Sequence, residues 1–297
     1  NKVDEYANFA STIPGGANFD VNERDSLTYV AAERVYMRGE IDEARNSFTH
    51  YLQTFPEGAF SLNANYYVGL IDYNRKAYNS AIEHLDKVLA YPNNKYSEDA
   101  MMMSAEMAYS AKDYEKALTY KQLKDKAVSP ERRQLAKTGV LRSAYMLGNG
   151  EEVMLAATDL LAETKVAPEL SNEAHYYRAK AYLDAGKVEG AMDDLKILAK
   201  DTRNIYGAEA KYKVAQIYFD AGQTEQAEKE VLDYIEVSTP HTYWLARSFV
   251  LLSDVYMKLG RNLDAKQYLL SLKQNYQADD DIAGMIESRL NKLNAEN

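Results

Sequence analysis

This sequence predicts an all-α chain of antiparallel helix pairs, and three observations carry that reading. A small residue recurs at Ala44, Ala81, Ala117, Val153, Ala191, Ala227 and Ala265, with successive spacings of 37, 36, 36, 38, 36 and 38 residues. Five positions before each stands a turn residue: Gly39, Lys76, Lys112, Gly148, Gly186, Gly222 and Gly260. Most of these are glycine, which enters φ > 0 without steric cost. Twelve positions before each anchor lie Ala32, Gly69, Ala105, Leu141, Ala179, Ala215 and Ser253, small in every case but Leu141. Small side chains at both places let two helix backbones approach closely. A period held this steadily marks an array of stacked units.

Taken in order, residues 2–11 read as a lone second helix, with Tyr6 lying 38 residues before Ala44 at the anchor place. The array is therefore expected to continue upstream, making the chain the C-terminal piece of a longer one. Residues 1–22 are this partial unit and its linker; the link at 12–22 is rich in turn formers. Seven units are expected over residues 23–276. The first pairs helices at 25–38 and 41–54, the second spans 60–91 and the third 97–127. Pro56 and Pro92 fall near the ends of second helices. Ser129-Pro130 and Thr239-Pro240 place a capping hydroxyl before a proline suited to the first helical turn. The seventh unit, residues 243–276, is the clearest: Leu252, Tyr256 and Leu259 line one helix, Gly260 turns the chain, and Ala265, Leu269 and Leu272 line the next. Residues 277–297 form a capping helix opened by Asp279-Asp280-Asp281.

Unit three breaks the pattern, because Lys121 and Lys124 hold places that are apolar elsewhere, while Tyr120 and Leu123 sit one residue too early. Val153 and Leu141 are bulky where small residues are expected. A local packing irregularity between units three and four follows.

Composition narrows the function. The chain has 297 residues, 46% apolar and 27% charged, which suits a folded helical protein. Its net charge of −10 lacks the cationic field that nucleic-acid binding needs. No apolar run approaches the roughly 18 residues of a membrane span. With no cysteine, disulfides and thiolate sites are excluded. His50, His84, His175 and His241 stand alone in sequence, so neither an HExxH motif nor an i, i+4 metal pair exists. Gly148 and Gly150 follow a helix, not a strand, and make no phosphate loop. Carboxylates such as Asp193-Asp194 are plentiful but unaccompanied by a catalytic partner. No enzyme, cofactor or metal site is read here. The basic stretch 121–133 is diluted by Asp125 and Glu131 and reads as a solvated face. Trp244 is expected to pack on the preceding second helix, and Met101-Met102-Met103 to place at most two side chains in the core.

The series Ala179, Tyr182, Gly186, Ala191 and its repeat Ala215, Tyr218, Gly222, Ala227 resembles the tetratricopeptide repeat, over essentially the whole chain. Spacing and junctions are similar to those of tetratricopeptide proteins of Gram-negative cell envelopes. The resemblance implies a right-handed superhelical solenoid, a periplasmic or cell-envelope location, and a non-catalytic scaffold that binds a peptide or protein partner. It also implies a concave face lined by first helices, on which positions five and twelve place Tyr29, Tyr36, Tyr66, Tyr73, Tyr109, Tyr145, Tyr176, Tyr212 and Phe219. Position nine is mixed (Glu33, Leu70, Glu106, Arg142, Lys180, Gln216, Asp254) and does not match the clamp for a C-terminal carboxylate found in some members. Tyrosine suits a wet recognition groove, although the same rings could pack between neighbouring first helices. A carbohydrate-binding module using exposed tyrosines is the competing reading.

Overall fold

A computed structural model of the chain describes residues 2–13, 20–91, 93–237 and 239–295, and every regular element among them is an α-helix. Two compact units divide it, Asn1–Ser143 and Ala144–Asn297. The first unit holds α1 (Lys2–Thr12), α2 (Val21–Met37), α3 (Ile41–Thr54), α4 (Ser61–Asn74), α5 (Tyr78–Leu89), α6 (Ser97–Ser110), α7 (Tyr114–Ala117), α8 (Tyr120–Lys126) and most of α9 (Pro130–Met146). The second continues with α10 (Gly150–Leu161), α11 (Pro168–Asp184), α12 (Val188–Leu198), α13 (Ile205–Asp220), α14 (Thr224–Ile235), α15 (Thr242–Lys258), α16 (Asn262–Asn275) and α17 (Ile282–Ala295). Within each unit, helices pack against their sequence neighbours: α2 on α3, α3 on α4, α4 on α5, and in the second unit α11 on α12 through to α16 on α17. In the second unit alternate helices also touch, α13 with α15 and α15 with α17. The fold is all-α and tetratricopeptide-like.

The tight turns have one cause. Gly39 N–H donates to the Tyr36 carbonyl at 2.9 Å and Glu40 N–H to Val35 at 3.3 Å, closing the orphan carbonyls of α2 in a Schellman motif. The same two bonds recur after α13, from Gly222 to Phe219 (3.0 Å) and Gln223 to Tyr218 (2.8 Å). All seven turn residues take positive φ, and Lys76 (60°) and Lys112 (61°) adopt it where the others are glycine.

The anchors lie at the helix crossings. Ala44, Ala81, Ala117, Ala191, Ala227 and Ala265 are fully buried, and Val153 is almost so. Four and seven residues further on, Phe48 and Tyr51, Leu85 and Val88, Leu195 and Leu198, Val231 and Tyr234, and Leu269 and Leu272 are buried as well. That spacing keeps one stripe of each second helix in the core.

The expected irregularity of unit three takes a definite form. Its second helix is split into α7 and α8, with Thr119, Lys121 and Gln122 amides bonding to the carbonyls of Lys116, Leu118 and Thr119 three residues back. Three residues per turn rotate the chain further per residue than the α-helix does. Tyr120 and Leu123 are thereby brought into the core one residue early, and both are buried. Across from them α9 carries Gly139, where a Cβ would lie 2.4 Å from the Tyr120 ring.

Several local expectations need correction. α2 begins at Val21, earlier than its apolar pattern suggests, because Asp20 and Glu23 form a reciprocal capping box. Ser129 does cap α9, accepting from Arg132 N–H at 3.1 Å. Thr239 does not cap α15: it accepts from His241 N–H, its hydroxyl donates to the Thr202 carbonyl at 2.8 Å, and the helix starts only at Thr242. Tyr6 is 61% exposed and Ala10 takes the buried place on α1. Trp244 lies against Tyr212 of the preceding first helix, with ring centroids 5.6 Å apart. Met101 and Met103 are buried and Met102 half-buried. Most of the 12–22 link, and Pro92, lie outside the described residues.

Candidate functional site

The first helices of each pair are numbered so that the small residue at the crossing is position eight. Position five then holds Tyr29, Tyr66, Tyr176 and Tyr212, and these four share one arrangement. The Tyr29 ring stacks on Phe60 (centroids 4.5 Å apart), and its hydroxyl receives a bond from Asn63 at 3.3 Å. Tyr66 stacks on Tyr96 at 3.9 Å and donates to Asp99 at 3.0 Å. Tyr176 stacks on Tyr206 at 4.6 Å and donates to Glu209 at 2.9 Å. Tyr212 lies on Trp244, and its hydroxyl faces an Arg247 guanidinium nitrogen at 3.5 Å. Each tyrosine thus meets an aromatic-x-x-polar pair at the start of the next first helix. Burial, then the neighbouring carboxylate, pushes the Tyr66 and Tyr176 hydroxyls above their ordinary value, so both stay protonated donors.

Burial separates the nine sequence-derived candidates into two sets. Tyr29, Tyr66 and Tyr212 are buried, and Tyr176 is half-buried. The position-twelve residues Tyr36, Tyr73, Tyr109, Tyr145 and Phe219 are all half-buried, as are Leu183 and Met257, which complete the position-twelve series. Tyr73 donates to Glu106 on the next first helix. Tyr145 stacks on Tyr177 at 3.7 Å, and Lys180 sits over both Tyr145 (5.6 Å) and Tyr176 (5.7 Å). Phe219 lies under Lys258, 5.0 Å from the ammonium to the ring centroid. At Tyr66, Tyr145 and Tyr176 one face of the ring is taken by a stacked neighbour.

Buried polar pairs tie first helix to second. Asp194, 1% exposed, accepts two bonds from Arg178 (2.9 and 2.7 Å) and lies 2.7 Å from His175 Nδ1. Asp72 is held the same way by Arg45 (2.5 and 2.9 Å) and Ser80 (2.6 Å). Burial works to raise both carboxyls, but the arginine bonds outweigh it and hold them below the usual range. Asp194, which the sequence offers only as one of many carboxylates, is one side of this clamp. The basic stretch 121–133 is partly spent inside the fold: Arg132 bridges Glu98 (3.4 Å) and Asp99 (2.5 Å), and Arg133 donates to the Ala127 carbonyl. Among the described residues no cluster of three metal-ligating side chains occurs, and no helix is long and apolar enough to cross a membrane.

No family model and no curated protein matches the chain. Solved structures do. The structure of Naa15/Naa10 bound to HypK-THB aligns with a TM-score of 0.56 at 16% identity, over 90% of this chain and 39% of that one. The chain therefore spans well under half the length of that protein. A tetratricopeptide repeat protein from Parabacteroides merdae aligns at 14% identity over 90% of this chain and 98% of that one, with a TM-score of 0.43. PilF of Pseudomonas aeruginosa is similar at 14% identity over 92% and 97%, with a TM-score of 0.34. At 16% identity the likeness to the Naa15/Naa10 structure speaks for the fold alone.

Proposed function

We propose that this chain is a non-catalytic scaffold that binds a peptide or protein partner on the first helices of its units. One observation carries the reading. Tyr36, Tyr73, Tyr109, Tyr145, Leu183, Phe219 and Met257 recur at position twelve, every one half-buried. A large apolar side chain held half out of the core at every repeat is a regular contact surface, and rigid aromatic groups dominate such surfaces energetically. Within each unit, the position-five tyrosines hold neighbouring first helices together and so fix their spacing. Its neighbour of like fold, Naa15/Naa10, is seen bound to HypK-THB, which fits a scaffold role here.

Photo-crosslinking tests it. A benzophenone amino acid at Tyr73 or Phe219 should link to partner in native extracts, and the same probe at exposed Leu155 or Leu263 on second helices should not. Linking from the second-helix positions alone would move the binding surface off the first helices.

A further inference from the structure

Two places in the protein share a pair of rings and differ in what lies on them. In the second unit, Lys180 at position nine sits over Tyr145, position twelve of the preceding first helix, and over Tyr176, position five of its own. In the first unit the same two ring positions are Tyr36 and Tyr66, and position nine is Leu70. The rings recur; the lysine does not.

The first unit's rings instead stand beside a carboxylate. Glu33, one turn before Tyr36 on α2, is half-buried and accepts the Tyr29 hydroxyl at 2.9 Å. Among the described residues it forms no ion pair. Tyr36 lies 4.8 Å from Tyr67 and Tyr67 lies 5.7 Å from Tyr66, centroid to centroid, so the three rings form one continuous group that begins one turn from Glu33. Burial, then Tyr96, pushes the Tyr67 hydroxyl above its ordinary value, and Glu33 and Tyr36 add to this.

Resting on the scaffold reading, we propose that Glu33 with Tyr36, Tyr66 and Tyr67 receives a lysine or arginine side chain of the bound peptide. Aromatic faces attract a cation through their quadrupole, and a carboxylate among them adds a Coulombic partner in a partly desolvated place. Lys180 shows the same pair of rings holding an ammonium within this chain. A peptide cation would fill in the first unit the place that Lys180 fills in the second. Glutamate at that place in a partner would face Glu33 and be rejected.

The test uses the full chain and a fluorescein-labelled twelve-residue peptide of alternating leucine and lysine, with its glutamate-for-lysine counterpart as comparison. Fluorescence anisotropy should show the lysine peptide binding about tenfold tighter or more, since one desolvated cation–aromatic contact with a counter-charge is of that order. Glu33→Gln should remove most of that preference. Leu70→Lys should do the same by a different route, supplying the site with its own ammonium. Glu83→Gln, which removes an exposed carboxylate from α5, should leave the affinities unchanged. Equal affinities for the two peptides, unchanged binding by Glu33→Gln and Leu70→Lys, or an equal loss in Glu83→Gln would each overturn the proposal. Those results would leave the crosslinking outcome at Tyr73 and Phe219, and the scaffold reading with it, standing on its own.

Discussion

Tyr66 on α4 donates its hydroxyl to Asp99 on α6 at 3.0 Å, and Tyr176 on α11 does the same to Glu209 on α13 at 2.9 Å, each across 33 residues. Ring and hydroxyl serve different ends and can be separated by mutation. Tyr66→Phe keeps the stack on Tyr96 and should cost about 1 kcal/mol, the usual net worth of a hydrogen bond. Tyr66→Ala also removes the ring and should cost about 3–5 kcal/mol. Urea unfolding of both variants checks this; equal losses would mean that the ring contributes nothing.

Lys76 and Lys112 hold the left-handed conformation that the other five turns give to glycine. A side chain there is strained, and glycine removes the strain at some cost in unfolded-state entropy. Lys76→Gly and Lys112→Gly should each stabilise the fold by about 0.5–1 kcal/mol, read as a raised melting temperature, and Gly186→Ala should lower it.

Ala191 and Ala227 are fully buried where two helices cross. Leucine at either place forms helix as well as alanine but overfills the crossing, at a cost of about 1–3 kcal/mol. Unchanged denaturation midpoints in both variants would contradict the packing described.

Gly139 and Tyr120 should be coupled. Gly139→Ala drives a methyl into the Tyr120 ring and should destabilise the first unit by roughly 1–3 kcal/mol. In a Tyr120→Leu background the same change should cost clearly less, a non-additivity that a double-mutant cycle measures directly.

Asp72 and Asp194 set an acid limit. Their folded carboxyls titrate below the ordinary range, so the unfolded chain takes up protons first as pH falls. The stability they supply is complete above an unfolded carboxylate value of about 4 and drains away as pH falls through it toward the lower folded value. Asp194→Asn should flatten the dependence of the unfolding midpoint on pH in that acidic window. At neutral pH it should cost roughly 3–5 kcal/mol by leaving Arg178 without its counter-charge.

How much of this the sequence disclosed depends on the reach of each interaction. Turn glycines and crossing alanines act within one helix pair, so period and residue size reveal them directly. The division of α7 from α8 was visible only as misplaced Tyr120 and Leu123, because the tighter turn that corrects their phase leaves no composition signal. The tyrosines were legible as a row but not as staples. Tyr66 needs Tyr96 and Asp99, which belong to the next repeat, and their aromatic-x-x-polar spacing means nothing until the two first helices are side by side. The clamp on Asp194 was not legible for the same reason, since Arg178 and His175 lie 16 and 19 residues away on another helix. Position five was drawn into the candidate surface with position twelve; the structure buries most of the former and leaves the latter half out.

The staples also decide where one repeat can be exchanged for another. A segment cut at its turns, from Gly39 to Lys76, carries Phe60 and Asn63 away from Tyr29, and Tyr66 away from Tyr96 and Asp99. A segment cut between Asn63 and Tyr66, and again between Asp99 and Met102, severs neither contact. The interchangeable cassette of this array therefore begins and ends inside a first helix, and chimeras joined there keep pairings that chimeras joined at the turns must rebuild.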